Sequence, residues 1–317
     1  MDGLNILSIQ SAIPKKSVTN DMMSKLVDTS DEWITKRTGI RHRYFVQDET
    51  NGDLASLAAK KAVEASGISK EDIVCCIVAT FTPDNFTPSV ACKVVGNLGL
   101  NEDVFAFDLN AACAGFIYGL KTARGILAQH PTGKYALVIG SEVISRVMDM
   151  TDRSTCVLFG DGAGAAVVGL DSQKLCYFHH GTQSDDQVLY SKAFPSENEA
   201  VYPAIMMQGS EVFRFAVSSV TRCISEILKE NNLTLDDIDH IVCHQANQRI
   251  ISRIQKNMNI DPNKLFINLQ NYGNTSAASI PIALSEMNEQ NLLKSGQKII
   301  CVGFGAGLVW GGMLIQW

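Results

Sequence analysis

Two kinds of hydrophobic pattern follow each other along this chain. In Asp53–Ile73 apolar residues recur at helical spacing as far as a glycine and an acidic turn, and Val74–Ala79 is then a short continuous apolar run. Helical periodicity predicts a helix with one buried face, whereas a short apolar run predicts a strand that is buried on both faces. The pattern is therefore typical of an α/β fold in which helices cover the sheets.

The same pattern occurs a second time. Val217–Ile238 has the same helical spacing and the same acidic turn, 165 positions further along the chain. Two later strand segments of the first part of the chain also resemble segments of the second part, at offsets of 161 and about 163 positions. We therefore predict two related halves, residues 1–170 and 171–317, that form a layered α/β/α/β/α sandwich. The offset of 161 pairs Cys113 in the first half with Asn274 in the second, so equivalent loops are expected to share a pocket.

The most hydrophobic stretch, Ile299–Ile315, contains no charged residue. A membrane-spanning helix is one interpretation of it. Two buried strands joined by a glycine loop are favoured, because glycine at high density disfavours a helix. The glycines concerned are Gly303, Gly305, Gly307, Gly311 and Gly312.

Composition narrows the classes of function. The 317 residues are 46% hydrophobic, which excludes a disordered chain, and 27 Lys and Arg against 33 Asp and Glu give a net charge of −6. Nucleic acid is not expected as a partner, because neutralising phosphates requires a basic surface. The nine cysteines form no C-x-x-C pair and are odd in number, so neither a zinc site nor a disulfide framework is predicted. Buried thiols and the absence of a secretory pattern in Met1–Ile13 favour a cytoplasmic location.

Cys113 lies in a run of small residues between a predicted strand, Val104–Leu109, and a predicted helix that starts at Phe116. Unpaired backbone N–H groups at a helix start stabilise an anion, so this position is expected to lower the pKa of the thiol and to make it a nucleophile. Small neighbours would also let a substrate carbonyl approach closely. The alternative is that Cys113 is one more buried structural thiol.

Two other strand exits carry polar groups. His244 begins the sequence His-Gln-Ala-Asn before a predicted helix, Gln248–Met258, and Asn274 belongs to a small polar segment before another helix. A helix start disfavours the protonated imidazole, so a neutral His244 could donate a hydrogen bond to a developing oxyanion. Helix capping is the alternative for both segments, and an ordinary core histidine is a further alternative for His244.

Taken together, these motifs resemble the β-ketoacyl-[acyl-carrier-protein] synthase III family, thiolase-fold enzymes that start type II fatty acid synthesis. The resemblance extends over nearly the whole chain. Its motifs are Asp31–Arg43, Asn110–Gly115, Thr151–Val168, His244–Asn247, Gly273–Ser279 and Phe304–Trp310.

The resemblance implies a thiolase-like fold and a decarboxylative condensation. Cys113 would take an acyl group from acyl-CoA, with the backbone N–H groups of Cys113 and Ala306 holding the oxyanion. His244 and Asn274 would stabilise the enolate that forms from malonyl-acyl carrier protein. Neither a metal nor a further cofactor is implied, because acyl-CoA is a substrate. The family also implies a homodimer paired through strands of the first half, and no membrane partner.

The family's binding residues can be carried over by position. Coenzyme A would contact Trp33, Arg37, Arg153, Gly209, Phe213 and Asn247, although Trp33 on its own is also explained as a helix anchor. The acyl pocket would include Thr87, Phe159 and Phe304. Short-chain members often have Phe where this chain has Thr87, so we expect a roomier pocket that accepts longer or branched primers.

A basic stripe is visible without the family. Arg249, Arg253 and Lys256 share one face of the predicted helix after His244, and Arg214 is a candidate fourth member. On an acidic protein such a stripe suits docking of an acidic carrier protein, and ordinary solvated charge is the alternative. Other functions remain open at this point: a starter synthase with another product, a Cys–His–Asn hydrolase, or a non-catalytic scaffold.

Overall fold

The structure, a computed structural model, describes residues 3–192 and 204–317. Its strands are β1 (Gly3–Ala12), β2 (Lys16–Thr19), β3 (His42–Phe45), β4 (Ile73–Ala79), β5 (Phe105–Leu109), β6 (Tyr135–Glu142), β7 (Gly162–Asp171), β8 (Cys176–Asp185), β9 (Leu189–Tyr190), β10 (Met206–Met207), β11 (His240–Cys243), β12 (Lys298–Gly305) and β13 (Gly307–Gln316). Its α-helices are α1 (Asn20–Met23), α2 (Asp31–Thr38), α3 (Asn51–Ser66), α4 (Val90–Leu98), α5 (Gly115–Leu127), α6 (Arg153–Cys156), α7 (Gly209–Glu230), α8 (Gln248–Met258), α9 (Leu269–Tyr272) and α10 (Ser279–Glu289).

Local sequence explains where the main helices begin and end. Thr50 caps α3 in a capping box with Asp53, and Gly67 ends the helix in the left-handed conformation that glycine adopts without strain. Asn247 caps α8 by accepting the Arg249 N–H. Helix α8 thus has the bounds that the sequence predicted, whereas α5 begins one residue before the predicted Phe116.

Two sheets carry the fold, and their strands follow the same order. The first has the order β1-β7-β6-β4-β5, and the second, taken from its other edge, has β8-β13-β12-β11. Where a counterpart of β5 would lie, Leu265 makes only an isolated parallel bridge to Ile241. We infer from this correspondence that the chain divides into halves between the end of β7 and the start of β8.

The sheets and helices form five layers. Helices α3 and α4 cover the outer face of the first sheet, α5 and α10 lie between the two sheets, and α7 covers the second sheet with α8 packed against it. Three large buried hydrophobic clusters fill the spaces between these layers. The interior strands β4 and β12 are therefore covered on both faces, as their continuous apolar sequences predict.

The glycine-rich hydrophobic stretch is a hairpin. Strands β12 and β13 pair antiparallel, from Lys298 opposite Gln316 to Gly305 opposite Val309, which confirms the two-strand interpretation. In the ranges 3–192 and 204–317, no helix combines the length and hydrophobicity needed to span a membrane.

Two equivalent 3₁₀ turns stand at the starts of the central helices. Ala112–Ala114 precedes α5, and Ser276–Ala278 precedes α10. The first residue of each turn has positive φ, 44° and 49°, and its N–H is accepted by an asparagine side chain two residues earlier, Asn110 or Asn274. Asn274 therefore corresponds to Asn110, and Cys113 to Ala277. The predicted pairing of Cys113 with Asn274 is wrong. It used the offset of 161 positions from a strand match, whereas the two turns are 164 positions apart.

Candidate active site

A large cavity, of about 1860 Å³, opens between the two halves. Cys113, His244 and Asn274 all contribute to its wall, although they are far apart in the sequence. The other predicted site residues that line it are Trp33, Arg37, Thr87, Phe159, Gly209, Phe213, Arg214, Asn247, Arg249, Phe304 and Ala306. Arg153, Arg253 and Lys256 lie outside its lining.

Cys113 is the middle residue of the first 3₁₀ turn. Strand β12 passes so close to this turn that a Cβ atom built on Gly305 would lie 2.7 Å from the Cys113 backbone nitrogen. Only glycine fits there, and Ala306 follows at the tip of the hairpin, on the same cavity wall. The expected lowering of the thiol pKa is wrong. Burial raises the pKa of Cys113 to about 12, the Ser276 hydroxyl offsets this rise in part, and the negative charge of Glu142 adds to it.

His244 follows β11 and is held by its backbone and its ring. Its N–H donates to Val302 on β12 at 2.8 Å, and ring Nδ1 lies 2.7 Å from Ser279 Oγ at the start of α10. Burial lowers the pKa of His244 to about 3, so the imidazole is neutral at physiological pH. The predicted neutrality is confirmed, but its cause is burial against groups such as the Phe304 ring, whose centroid is 5.2 Å away.

Asn274 is fixed by contacts to both halves. Its backbone N–H donates to Leu158 at 2.8 Å, and its carbonyl accepts the Gly160 N–H at 3.0 Å. Side-chain Oδ1 accepts the Ser276 N–H at 2.9 Å. Because the oxygen of the amide is used in this way, Nδ2 is left as the donor end of the side chain.

Sequence reasoning gave no role to three polar residues near these groups. Ser279 holds the His244 ring, Ser276 lies beside Cys113, and Glu142 ends β6 in a fully buried position. Burial raises the pKa of Glu142 to about 7, even though the hydroxyls of Thr80, Thr82 and Ser276 act in the opposite direction. A glutamate at the end of an otherwise apolar strand was the one signal that could have identified this group.

Five of the six predicted coenzyme A residues line the cavity, and the sixth, Arg153, lies against Trp33 outside its lining. The Arg153 guanidinium lies 4.8 Å from the centre of the Trp33 ring, and that of Arg37 lies 5.7 Å from it. Arg153 also donates to the Asp28 carbonyl oxygen at 2.6 Å. Since the guanidinium rests on the indole face, a base could enter between them only after Arg153 moves. The Asn247 amide is engaged as the cap of α8 and donates to the Arg37 carbonyl oxygen at 3.3 Å.

The predicted acyl-pocket residues differ in burial. Phe159 and Phe304 are buried beside Asn274 and His244, respectively. Thr87 is exposed and lies in a loop at the rim of the cavity, next to the exposed side chain of Phe86. The three residues therefore share one cavity, with Thr87 at its open side.

The basic stripe lies beside the cavity. Arg249, Arg253 and Lys256 are exposed on α8 and line a separate groove of about 510 Å³, together with Lys36. Arg249 also lines the large cavity, so the groove and the cavity adjoin. Arg214 differs from the other three, because its guanidinium forms an ion pair with Glu211 one helical turn away.

Comparison with known proteins bears on this arrangement. Family models described as 3-oxoacyl-[acyl-carrier-protein (ACP)] synthase III, and as its C-terminal part, match residues 107–184 and 228–317. Beta-ketoacyl-[acyl-carrier-protein] synthase III of Clostridium acetobutylicum is 47% identical, covering 100% of this chain and 99% of that protein. The chain belongs to the β-ketoacyl-[acyl-carrier-protein] synthase III family. The namesake from Clostridium beijerinckii is 43% identical over the full length of both chains.

Solved structures agree with this assignment. The synthase III of Aquifex aeolicus superposes with a TM-score of 0.92 at 39% identity, covering 99% of this chain and 100% of that one. The Thermus thermophilus enzyme gives the same TM-score at 36% identity, with 99% of both chains covered. The predicted thiolase-like fold is thereby confirmed, and the chain is an acyltransferase of the condensing class.

Proposed function

We propose that Cys113, His244 and Asn274 are the catalytic residues of a decarboxylative condensation between an acyl-CoA primer and malonyl-[acyl-carrier protein]. The product is a 3-oxoacyl-[acyl-carrier protein], and the reaction is the first condensation of bacterial type II fatty acid biosynthesis. The supporting observation is that a thiol, a neutral imidazole and a carboxamide line one cavity. This combination provides a nucleophile that can also leave, with two donors that do not protonate a carbanion.

The first half-reaction transfers the acyl group. The Cys113 sulfur attacks the thioester carbonyl of acyl-CoA, and coenzyme A leaves. The backbone N–H groups of Cys113 and Ala306 would donate hydrogen bonds to the negatively charged carbonyl oxygen. Both can reach it because Gly305 allows the hairpin tip to lie against the Cys113 turn. The Cys113 side chain then holds the primer as a thioester.

The second half-reaction forms the carbon–carbon bond. Loss of CO₂ from the malonyl thioester moves negative charge onto its carbonyl oxygen, where donors from His244 and Asn274 stabilise the enolate. The Ser279 hydroxyl accepts the Gln245 N–H and can donate its own proton to His244 Nδ1, so that Nε2 carries the ring proton. Nδ2 is the corresponding donor of Asn274. The enolate carbon attacks the acyl thioester and releases Cys113.

The remaining predicted residues would serve binding. Coenzyme A would enter past Trp33 and Arg37, with Arg153 swinging off the indole to admit the adenine. Gly209, Phe213 and Asn247 would line the path to Cys113. The carrier protein would dock on the groove formed by Arg249, Arg253 and Lys256, with Arg214 at its side.

The size of the primer depends on a second subunit in this proposal. Thr87 lies at the open side of the acyl pocket, where a partner subunit of a homodimer would close it. A side chain smaller than Phe at this position favours longer or branched primers. The location proposed for this activity is the cytoplasm, where acyl-CoA is available.

Covalent capture of the primer tests the proposal. The protein is incubated with a panel of acyl-CoAs, weighed by mass spectrometry, and then treated with malonyl-carrier protein. We expect one acyl group on Cys113, no capture by Cys113→Ser, and full capture by Cys92→Ser, because Cys92 is an exposed thiol outside the cavity. Malonyl-carrier protein should discharge the acyl group as a 3-oxoacyl product.

Other outcomes would assign another function. Discharge of the acyl group by water would indicate a hydrolase, and a different condensation product would indicate a starter synthase. Absence of any acyl-Cys113 from the whole panel would contradict the proposal.

A further inference from the structure

Arg43 is a buried cation to which the reaction as described gives no task. It belongs to β3, has no exposed surface and lies outside the lining of the large cavity. Among the described residues no carboxylate is within ion-pairing distance of its guanidinium. Burial lowers the pKa of Arg43 to about 10, so the group is still charged at neutral pH. Burying a charge without a counter-charge is costly, and the guanidinium therefore calls for an explanation beyond packing.

The two terminal nitrogens of Arg43 each donate a hydrogen bond to a different segment of the chain. Nη2 donates to the Val157 carbonyl oxygen at 2.7 Å, and Nη1 donates to Asn20 Oδ1 at 2.8 Å. Asn20 Nδ2 in turn donates to Asp31 Oδ1 at 2.8 Å, so the negative charge on this path is one amide away. The guanidinium thus connects the Asn20 side chain to the backbone that follows α6.

The backbone that Arg43 holds is the one that holds Asn274. The Asn274 N–H donates to the Leu158 carbonyl oxygen at 2.8 Å, and its carbonyl oxygen accepts the Gly160 N–H at 3.0 Å. Leu158 directly follows Val157, whose carbonyl oxygen accepts the bond from the guanidinium. A displacement of this segment would therefore carry Asn274 with it.

The side chain of Arg43 also packs directly against both segments. A Cβ atom built on Gly160 would lie 3.1 Å from Arg43 Cβ, and one built on Gly273 would lie 3.3 Å from it. Gly273 immediately precedes Asn274 and has a φ of 68°, which glycine adopts without strain. Arg43 thus touches the chain on both sides of the place where the two segments meet.

The other two proposed catalytic residues are held by different parts of the structure. The Cys113 turn packs against Gly305 of β12. His244 is bound to Val302 of the same strand and to Ser279 at the start of α10. These contacts involve neither β3 nor the segment after α6, so loss of the guanidinium is expected to disturb Asn274 most.

We propose that Arg43 is a positioning residue for the condensation half-reaction, in which its guanidinium holds the backbone that presents the Asn274 carboxamide to the enolate oxygen. This inference rests on the proposed function, where Asn274 acts in the second half-reaction and not in the first. A misplacement of a catalytic group by about 1 Å can lower a rate by about 10²-fold. Without the guanidinium, condensation should therefore slow down while acylation of Cys113 continues at its former rate.

Separate measurement of the two half-reactions in Arg43→Met tests this role. Methionine fills much of the same space without a charge or a donor. Capture of the acyl group, followed by mass spectrometry, should proceed at the rate of the unaltered protein. The kcat for condensation with malonyl-carrier protein should fall about 10²-fold with little change in KM, because the lost interaction belongs to the transition state. Arg41→Met, the same substitution at an exposed arginine two positions earlier, is the matched control and should keep both rates.

A double variant separates positioning from a general loss of structure. If Arg43 acts through Asn274, Arg43→Met should slow condensation little further in a protein that already carries Asn274→Ala, whereas independent effects would multiply. Arg43→Lys protects the test from a folding failure. It keeps a charge, but one ammonium group cannot replace two separate nitrogens, so it should show a smaller loss that is again confined to condensation.

Several outcomes would overturn this role for Arg43. They are equal losses in both half-reactions, an unchanged rate of condensation, and losses that multiply in the double variant. Failure of both Arg43 variants to fold would assign the residue to stability instead. If the unaltered protein never captures an acyl group, or if Asn274→Ala condenses at the full rate, the proposed function itself fails, and these results are distinct from failure of the Arg43 role.

Discussion

At the scale of the residue, His244 shows how the surroundings decide the chemistry of a side chain. In the part of the chain that the structure describes, the imidazole has no charged partner, and burial lowers its pKa from 6.5 to about 3. A protonated imidazole would transfer its proton to an enolate, so a ring that stays neutral is the more useful donor. The sequence predicted a neutral His244 and a nucleophilic Cys113 from their places at helix starts. It could not predict that burial dominates both pKa values, because the buried environment is assembled from strands and turns distant in the chain.

The shifted pKa of His244 predicts a pH-dependent stability. Below pH 6.5 the unfolded chain binds a proton at this histidine while the folded chain does not, so stability is lost as pH falls towards 3. Between about pH 7.5 and pH 5 the unaltered protein should lose roughly 2 kcal/mol more unfolding free energy than His244→Gln. Urea unfolding at both pH values measures the difference. His130→Gln, at an exposed histidine, should behave like the unaltered protein, and equal losses in all three proteins would contradict the prediction.

At the scale of the element, the sequence predicted helix bounds best where the apolar pattern and the capping residue lie in the same short segment. Helix α8 has its predicted bounds because Asn247 and the apolar stripe of Ile250, Ile251 and Ile254 are all contained in the segment. The segment at Leu265 was matched to a strand, but it forms a single bridge, because strand formation needs a neighbouring edge along its length. The packing of the Ser276 turn against the Cys113 turn and strand β6 was likewise beyond reach, since three separate elements supply it.

The positive charges on the exposed face of α8 predict that the reaction with malonyl-carrier protein depends on salt concentration. Across residues 3–192 and 204–317, none of Arg249, Arg253 and Lys256 forms an ion pair, so their charges are available to an acidic carrier protein. Arg253→Glu should lower kcat/KM for malonyl-carrier protein about tenfold at low salt and less at high salt, because screening weakens long-range attraction. Acylation by acyl-CoA should not change, since Arg253 lies outside the large cavity. Lys60→Glu on α3 is the charge-matched control, and an equal loss in both variants would exclude a docking site on α8.

At the scale of the whole molecule, two sheets of matching order bring one turn from each half to the same cavity. The repeat in the hydrophobic pattern predicted that equivalent loops of the two halves share a pocket, although it matched the wrong positions of the two turns to each other. The 3₁₀ turns, with their positive φ values and asparagine side chains, show the equivalence that the apolar pattern misses. Cys113 occupies one turn, whereas Ser276 and the side chain that anchors it, Asn274, belong to the other. The nucleophile and its neighbours thus depend on packing of the two halves.

We expect strand β5 to link this site to the pairing of two subunits. Among the described residues it is the edge of the first sheet and pairs with β4 alone, and Phe105 is 59% exposed on it with its ring 5.1 Å from that of Phe107. An apolar edge strand left open is a surface for pairing with a second copy, and a charged side chain on it prevents such pairing. We therefore expect the unaltered protein to sediment as a dimer and Phe105→Glu to sediment as a monomer. Leu57→Glu, at another exposed apolar side chain, on α3, should remain dimeric.

The same experiment extends to activity, because β5 ends at Leu109 and Cys113 follows four residues later. A dimer that pairs along β5 would hold the Cys113 turn and close the pocket at Thr87. Monomeric Phe105→Glu should then acylate more slowly and lose its selectivity among primer lengths, while Leu57→Glu keeps both properties. A monomeric unaltered protein, or a Phe105→Glu protein that stays dimeric, would mean that β5 is not the surface through which the subunits pair.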